Sequence, residues 1–85
     1  MRVIFSPDAL EEQRHFKQHD QKIAEKIRLL IEDIIKTPHS GLGKPEPLKY
    51  GLAGYWSRRI NREHRLVYKV EDNTLYVVSC RYHYR

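Results

Sequence analysis

Glu46 stands between two prolines, in the run Lys44-Pro45-Glu46-Pro47. Pro45 has its own φ fixed by its ring, and Pro47 drives the residue before it toward extended angles. A carboxylate on a loop ordinarily wanders. Here the backbone on both sides is stiff, which suits a general base that must meet its proton at a defined place. Downstream, Arg58, Arg59, Arg62, His64 and Arg65 crowd together. Alternation along a strand sends Arg58 and Arg59 to opposite faces. Arg59 and Arg65 pair directly if the turn between them holds three residues, Asn61 to Glu63; a two- or four-residue turn separates them. Two guanidiniums on one face repel unless an anion sits between them, and phosphate matches their planar fork.

The sequence ends Arg81-Tyr82-His83-Tyr84-Arg85. Tyrosines can anchor a final strand by packing. They can also stack on a base or donate a hydrogen bond, beside a histidine that titrates near neutrality. Strict alternation puts His83 and Tyr84 on opposite faces, so a joint role requires a bend. A poised carboxylate, clustered arginines, a histidine and a tyrosine are together what metal-free RNA cleavage needs. RNA carries its own nucleophile, the 2′-hydroxyl. A base takes its proton, cations neutralise the charge on the pentacoordinate phosphate, and an acid protonates the departing 5′-oxygen. The five histidines do not fall at metal-ligand spacing and no acidic partner motif supports them, so no metal or other cofactor is expected. Cys80 reads as buried filler and Trp56 as core.

These residues need a scaffold, and the pattern supplies one. Val3-Ile4-Phe5 reads as a short strand. Ser6 is an N-cap candidate, with Pro7 at the first helical position where a missing N–H does no harm. The helix that follows, to about Lys17, is weakly amphipathic, with Ala9, Leu10 and Phe16 facing inward. A second helix starts from an N-cap at Asp20. Ile23, Ile27, Leu30, Ile31 and Ile34 form one apolar stripe along it, and Pro38 stops it. The two helices lie in antiparallel contact. Thr37 to Pro47 holds three of the four prolines and reads as a long loop. Tyr55–Ile60, His64–Val70 and Thr74–Cys80 then suit an antiparallel meander. The order β-α-α-β-β-β predicts an α+β fold: two N-terminal helices on one face of a twisted, mainly antiparallel sheet, the first strand added alongside.

Composition bounds the function. Eighty-five residues predict one domain, 1–85, at the small end of what folds without staples. One cysteine excludes an intrachain disulfide framework. The apolar runs are too short to span a bilayer, and the N-terminus shows no signal-peptide stretch, so a cytoplasmic protein without a membrane partner is expected. The net charge of +5 is unevenly spread: residues 1–40 carry seven Lys/Arg and seven Asp/Glu, and residues 41–85 carry nine against four. An excess confined to one half predicts a basic surface for a polyanion. Such a surface also invites an acidic, partly disordered partner that folds on binding.

The blocks KPEPLK, WSRRI, EHRLVY and CRYHY, in this order and spacing, closely resemble the YoeB-type toxins of the RelE/ParE superfamily. The resemblance runs essentially end to end and includes the IFS opening and the KTPHSGLGKPEPLK loop. It implies a microbial-RNase-like α+β fold. It further implies a toxin of a type II toxin–antitoxin system: a ribosome-dependent endoribonuclease (mRNA interferase) that cuts mRNA in the decoding site, is silenced by an acidic YefM/Phd-like antitoxin, and forms a homodimer. By that resemblance Glu46 is the general base and His83 the general acid. Arg65 stabilises the phosphate charge, Tyr84 orients or stacks on the substrate, and Lys49, Arg59 and Glu63 are supporting substrate-binding positions. A glutamate with an ordinary pKa of about 4.3 is a weak base, so Glu46 and His83 can trade roles. Two other readings stand beside this one. One is a non-catalytic ParE-like toxin that binds gyrase; the other is an RNA-binding module without cleavage.

Overall fold

The computed structural model describes residues 1–49 and 53–82. The chain opens with strand β1, Arg2–Phe5. Ser6 then caps helix α1, Pro7–His19, its Oγ accepting from the Ala9 N–H at 3.0 Å and donating to the Val78 carbonyl at 2.8 Å. One side chain therefore starts the helix and ties it to the far end of the chain. The helix runs two residues past the expected Lys17 because Asp20 alone separates it from helix α2, Gln21–Lys36. The Asp20 N–H donates to the Phe16 carbonyl at 2.7 Å, while its Oδ1 accepts from the Ile23 N–H at 3.2 Å. Extended backbone at this one residue closes the first helix and opens the second.

The apolar stripe of α2 packs as its period dictates. Ile27, Leu30 and Ile34 are buried, with Ile23 and Ile31 at the border of the core. On α1, Ala9 and Phe16 are buried but Leu10 is exposed, so its inward face is narrower than expected. Both helices cover one sheet face, against Leu66, Tyr68, Leu75 and Val77. Cys80 is wholly buried in this core, as expected of filler, and Trp56 packs at its border with its ring stacked on His39 at 4.4 Å.

The sheet has five strands rather than four. After α2 come β2, Glu46–Pro47; β3, Trp56–Arg59; β4, Arg65–Glu71; and β5, Thr74–Ser79. Their spatial order is β1-β5-β4-β3-β2, with β1 parallel to β5 and every other pair antiparallel. Only β2 was not foreseen: its two residues lie in the stretch read as loop. A proline is admissible there because β2 is an edge strand, where one side needs no ladder donor. Glu46 is thus held by pairing with Ser57 as well as by its flanking prolines. The β4–β5 hairpin turns on Asp72 and Asn73, both at positive φ, as a two-residue type I′ turn requires. Among the described residues no helix is long and apolar enough to cross a membrane.

Candidate active site

Register assembles the site. Glu46 faces Ser57 across β2–β3, Ser57 faces Val67 across β3–β4, and Arg59 faces Arg65 two residues further along. Directly paired residues share a face, and alternate residues return to it. Glu46, Ser57, Arg59 and Arg65 therefore occupy one sheet face, opposite the one that carries Leu66 and Tyr68 under the helices. Ser57 lies between Glu46 and β4, and its small side chain leaves a passage over β3. Arg65 reaches across it and places Nη1 3.2 Å from Glu46 Oε1. The Arg65 side chain is 17% exposed and that of Glu46 61%, so the cation is sheltered and the carboxylate is open to a ligand.

The turn between β3 and β4 resolves the pairing of the arginines. The Ile60 N–H donates to the His64 carbonyl at 3.0 Å, leaving Asn61, Arg62 and Glu63 as the three-residue turn that sets Arg59 opposite Arg65. Asn61 organises it, its Oδ1 accepting from the N–H groups of Glu63 and His64, each at 2.8 Å. Beside this pair a cleft of about 520 Å³ is lined by Lys26, Lys44, Arg59, Arg62 and Arg65, and among the described residues no carboxylate lines it. Gly43 forms part of its wall at φ +78°, its carbonyl accepting from the Arg59 N–H at 2.6 Å. A Cβ there would stand 2.9 Å from the Arg59 carbonyl oxygen, so only glycine lets this loop lie against β3.

Arg58 departs from the reading that grouped it with the other basic hairpin residues. Its side chain is wholly buried, and all five of its donor positions are used. Nη1 donates to Asp33 Oδ2 at 2.6 Å and to the Leu42 carbonyl at 3.1 Å; Nη2 donates to the carbonyls of Thr37 at 2.6 Å and Ser40 at 2.8 Å. Nε donates to the Tyr68 hydroxyl at 3.2 Å, which in turn donates to the Pro38 carbonyl at 2.6 Å. The guanidinium thus organises the 37–42 loop leading to Gly43 and Glu46. The Leu42 N–H, donating to Asp33 Oδ2, and the Arg58 guanidinium hold the Asp33 carboxyl below the usual carboxylate range. Burial raises the Tyr68 phenol.

Of the residues singled out in the sequence, the structure brings Glu46, Arg59 and Arg65 to one face. Lys49 is exposed two residues past β2. Glu63 lies in the turn, its carboxylate 3.6 Å from His64 Nε2. His83 and Tyr84 lie outside the described residues. Before them in the chain, β5 ends at Ser79 and Tyr82 takes φ +60°. The sequence reading passed over Lys26 and Lys44. Lys26 comes from the charge-balanced helical half, where nothing distinguishes it from its neighbours until α2 is packed beside the hairpin. Among the described residues no three His, Cys, Asp or Glu side chains converge to hold a metal ion.

The family described as "YoeB-like toxin of bacterial type II toxin-antitoxin system" matches residues 5–84. A Toxin YoeB of Synechocystis is 49% identical over 85 residues, covering 100% of this chain and 99% of the relative. Among solved structures, a YoeB dimer from Staphylococcus aureus superposes with a TM-score of 0.94 at 49% identity, covering 99% of this chain and 98% of that one. A YoeB–YefM complex from the same organism superposes with a TM-score of 0.91 at 48% identity, with the same coverage.

Proposed function

This chain belongs to the YoeB-like toxins of bacterial type II toxin–antitoxin systems, and from that premise we propose that it is an endoribonuclease that inhibits translation by cutting mRNA in the decoding site of the ribosome. The observation that carries the reading is the contact of Arg65 with Glu46, 3.2 Å, at the rim of a cleft lined by cations. Glu46 is exposed and held by an edge strand, so it can take the proton of a 2′-hydroxyl. The freed oxygen attacks the adjacent phosphorus, and the bond to the 5′-oxygen breaks. Arg65 and Arg59 face the extra negative charge of the pentacoordinate phosphate. His83 supplies the proton that the departing 5′-oxygen needs, and Tyr84 orients or stacks on the substrate; Glu46 and His83 can exchange these proton roles. The products are a 2′,3′-cyclic phosphate and a 5′-hydroxyl. Because the nucleophile belongs to the RNA, this reaction runs on the chain's own side chains without a cofactor.

Lys49 and Glu63 serve this site as supporting substrate contacts. The S. aureus relatives form a dimer and a complex with YefM; by the same likeness this chain pairs with itself and is silenced in the cytoplasm by an acidic YefM/Phd-like antitoxin. The basic cleft offers such a segment its counter-charge, so the complex forms without RNA. Mapping the 5′ ends of mRNA with and without ribosomes, for the wild type and Glu46→Gln, tests the reaction. Cuts that require both ribosomes and Glu46 support it. Equal cutting by the variant, or inhibition of growth with translation untouched, overturns it.

A further inference from the structure

His64 sits on the helix-facing side of the turn and is 6% exposed. The Phe16 ring meets it edge-on at 5.1 Å and the Tyr82 ring lies 5.4 Å away. Its Nδ1 accepts from the Tyr82 main-chain N–H at 2.7 Å. The Tyr82 carbonyl in turn accepts from the Arg65 N–H at 3.1 Å. Both main-chain polar groups of Tyr82 are therefore held by consecutive residues, His64 and Arg65, and the second of these is the cation that touches Glu46. Tyr82 also takes φ +60°, a left-handed conformation that a bulky residue holds only when its surroundings impose it. These two hydrogen bonds are an imposition of that kind, and His83 follows Tyr82 directly in the chain.

We propose that His64 is a positioning residue: as the neutral tautomer with its proton on Nε2, it anchors the Tyr82 main chain, the last fixed point before His83 and Tyr84 in the sequence. An imidazole nitrogen can accept only when bare, so the Tyr82 N–H requires a bare Nδ1 and puts the proton on Nε2. That nitrogen faces Glu63 Oε1 at 3.6 Å, which favours the same tautomer. Glu63 thereby holds the His64 tautomer in addition to its contact with substrate. The role in cleavage rests on the reading of His83 and Tyr84 given above; the anchoring of Tyr82 does not.

Two variants separate anchoring from packing. In His64→Asn the side-chain oxygen is attached to the same carbon as Nδ1 and can accept from Tyr82; His64→Leu fills the space without an acceptor. Steady-state cleavage of mRNA on ribosomes should fall roughly 10²-fold in His64→Leu through kcat with KM unmoved, as a misplacement of about 1 Å can produce. His64→Asn should retain most of the rate. The Tyr82 amide should exchange slowly in the wild type and His64→Asn and fast in His64→Leu. A long-range ¹H–¹⁵N spectrum of the wild type should show Nδ1 bare. Full cleavage by His64→Leu, equal damage from both substitutions, or a proton on Nδ1 overturns the proposal. Should His64→Leu fail to fold, the asparagine variant and the wild-type spectrum still decide it. Undiminished cleavage by Glu46→Gln and Arg65→Ala would overturn the assignment of the cleavage site instead, leaving the exchange and tautomer measurements to judge the anchor.

Discussion

Arg58 Nη1 lies 2.6 Å from Asp33 Oδ2, joining the buried side chain of β3 to the last turn of α2. The carboxylate also accepts from the Leu42 N–H at 2.9 Å. One ion pair therefore closes the 37–42 loop over the core and sets the path to Gly43 and Glu46. Arg59, the next residue, faces the basic cleft. Two adjacent arginines thus divide the work: one holds the scaffold and one lines the cleft.

Replacing Arg58 with Met removes the partner of three loop carbonyls and of Asp33. Breaking a buried pair in this way should destabilise the fold by about 3–5 kcal/mol, read as a lower urea midpoint. Arg59→Met, at the cleft, should leave the midpoint nearly unchanged and weaken RNA binding.

The lowered Asp33 pKa predicts an acid limb. A carboxyl depressed in the folded state adds stability that is fully present above its unfolded value, about 3.9. That stability is lost as pH falls from this value through the folded pKa. Thermal melts of the wild type should show an added loss below about pH 4. Asp33→Asn should be less stable at pH 7 and show a shallower acid limb.

Lys26 and Arg62 line the cleft with Arg59 and Arg65. If each neutralises one phosphate, Lys26→Ala and Arg62→Ala should each reduce the salt slope of RNA binding by about 1. A fluorescence anisotropy titration at several salt concentrations measures this. A slope unchanged in both variants would place the phosphates elsewhere.

Cys80 is wholly buried, and burial first, then the neighbouring Glu12, pushes its thiol up to about 12. The thiolate is the reactive form, so alkylation at pH 8 should proceed only at the rate of unfolding. Iodoacetamide followed by mass spectrometry should find native protein unmodified and urea-unfolded protein fully labelled.

Gly43→Ala forces a Cβ against the Arg59 carbonyl from a conformation that favours glycine. A loss of about 1–3 kcal/mol is expected, with reduced cleavage as the loop leaves β3. Gly54, where an added Cβ meets nothing within 4 Å, is the control for backbone strain alone.

Much of the scaffold was legible because its causes are local. Ser6, Pro7 and Asp20 act on N–H groups within three residues, and the stripe of α2 repeats with the helical period. The turn of Asp72 and Asn73 lies between strands of evident pattern. The stiffness of Glu46 was also readable from its flanking prolines. What the residues alone left open was which cation would stand beside it. That depends on a three-residue turn, on a two-residue edge strand too short to show any periodicity, and on a small Ser57 between Glu46 and β4.

The charge asymmetry shows the same division. The sequence by itself determined that the basic excess lies in residues 41–85, since charge is a property of composition. Tertiary structure alone decided its use: it withdrew Arg58 into the core, where five acceptors surround it, and brought Lys26 from the balanced half into the cleft. It likewise turned His64, one of five undistinguished histidines, into the acceptor for Tyr82. Local preferences act over a turn or so of chain. Contacts between residues 18 to 33 positions apart, such as His64 with Tyr82, Glu46 with Arg65 and Lys26 beside Arg59, come from strand register and helix packing, and these exist only once the whole sheet has closed.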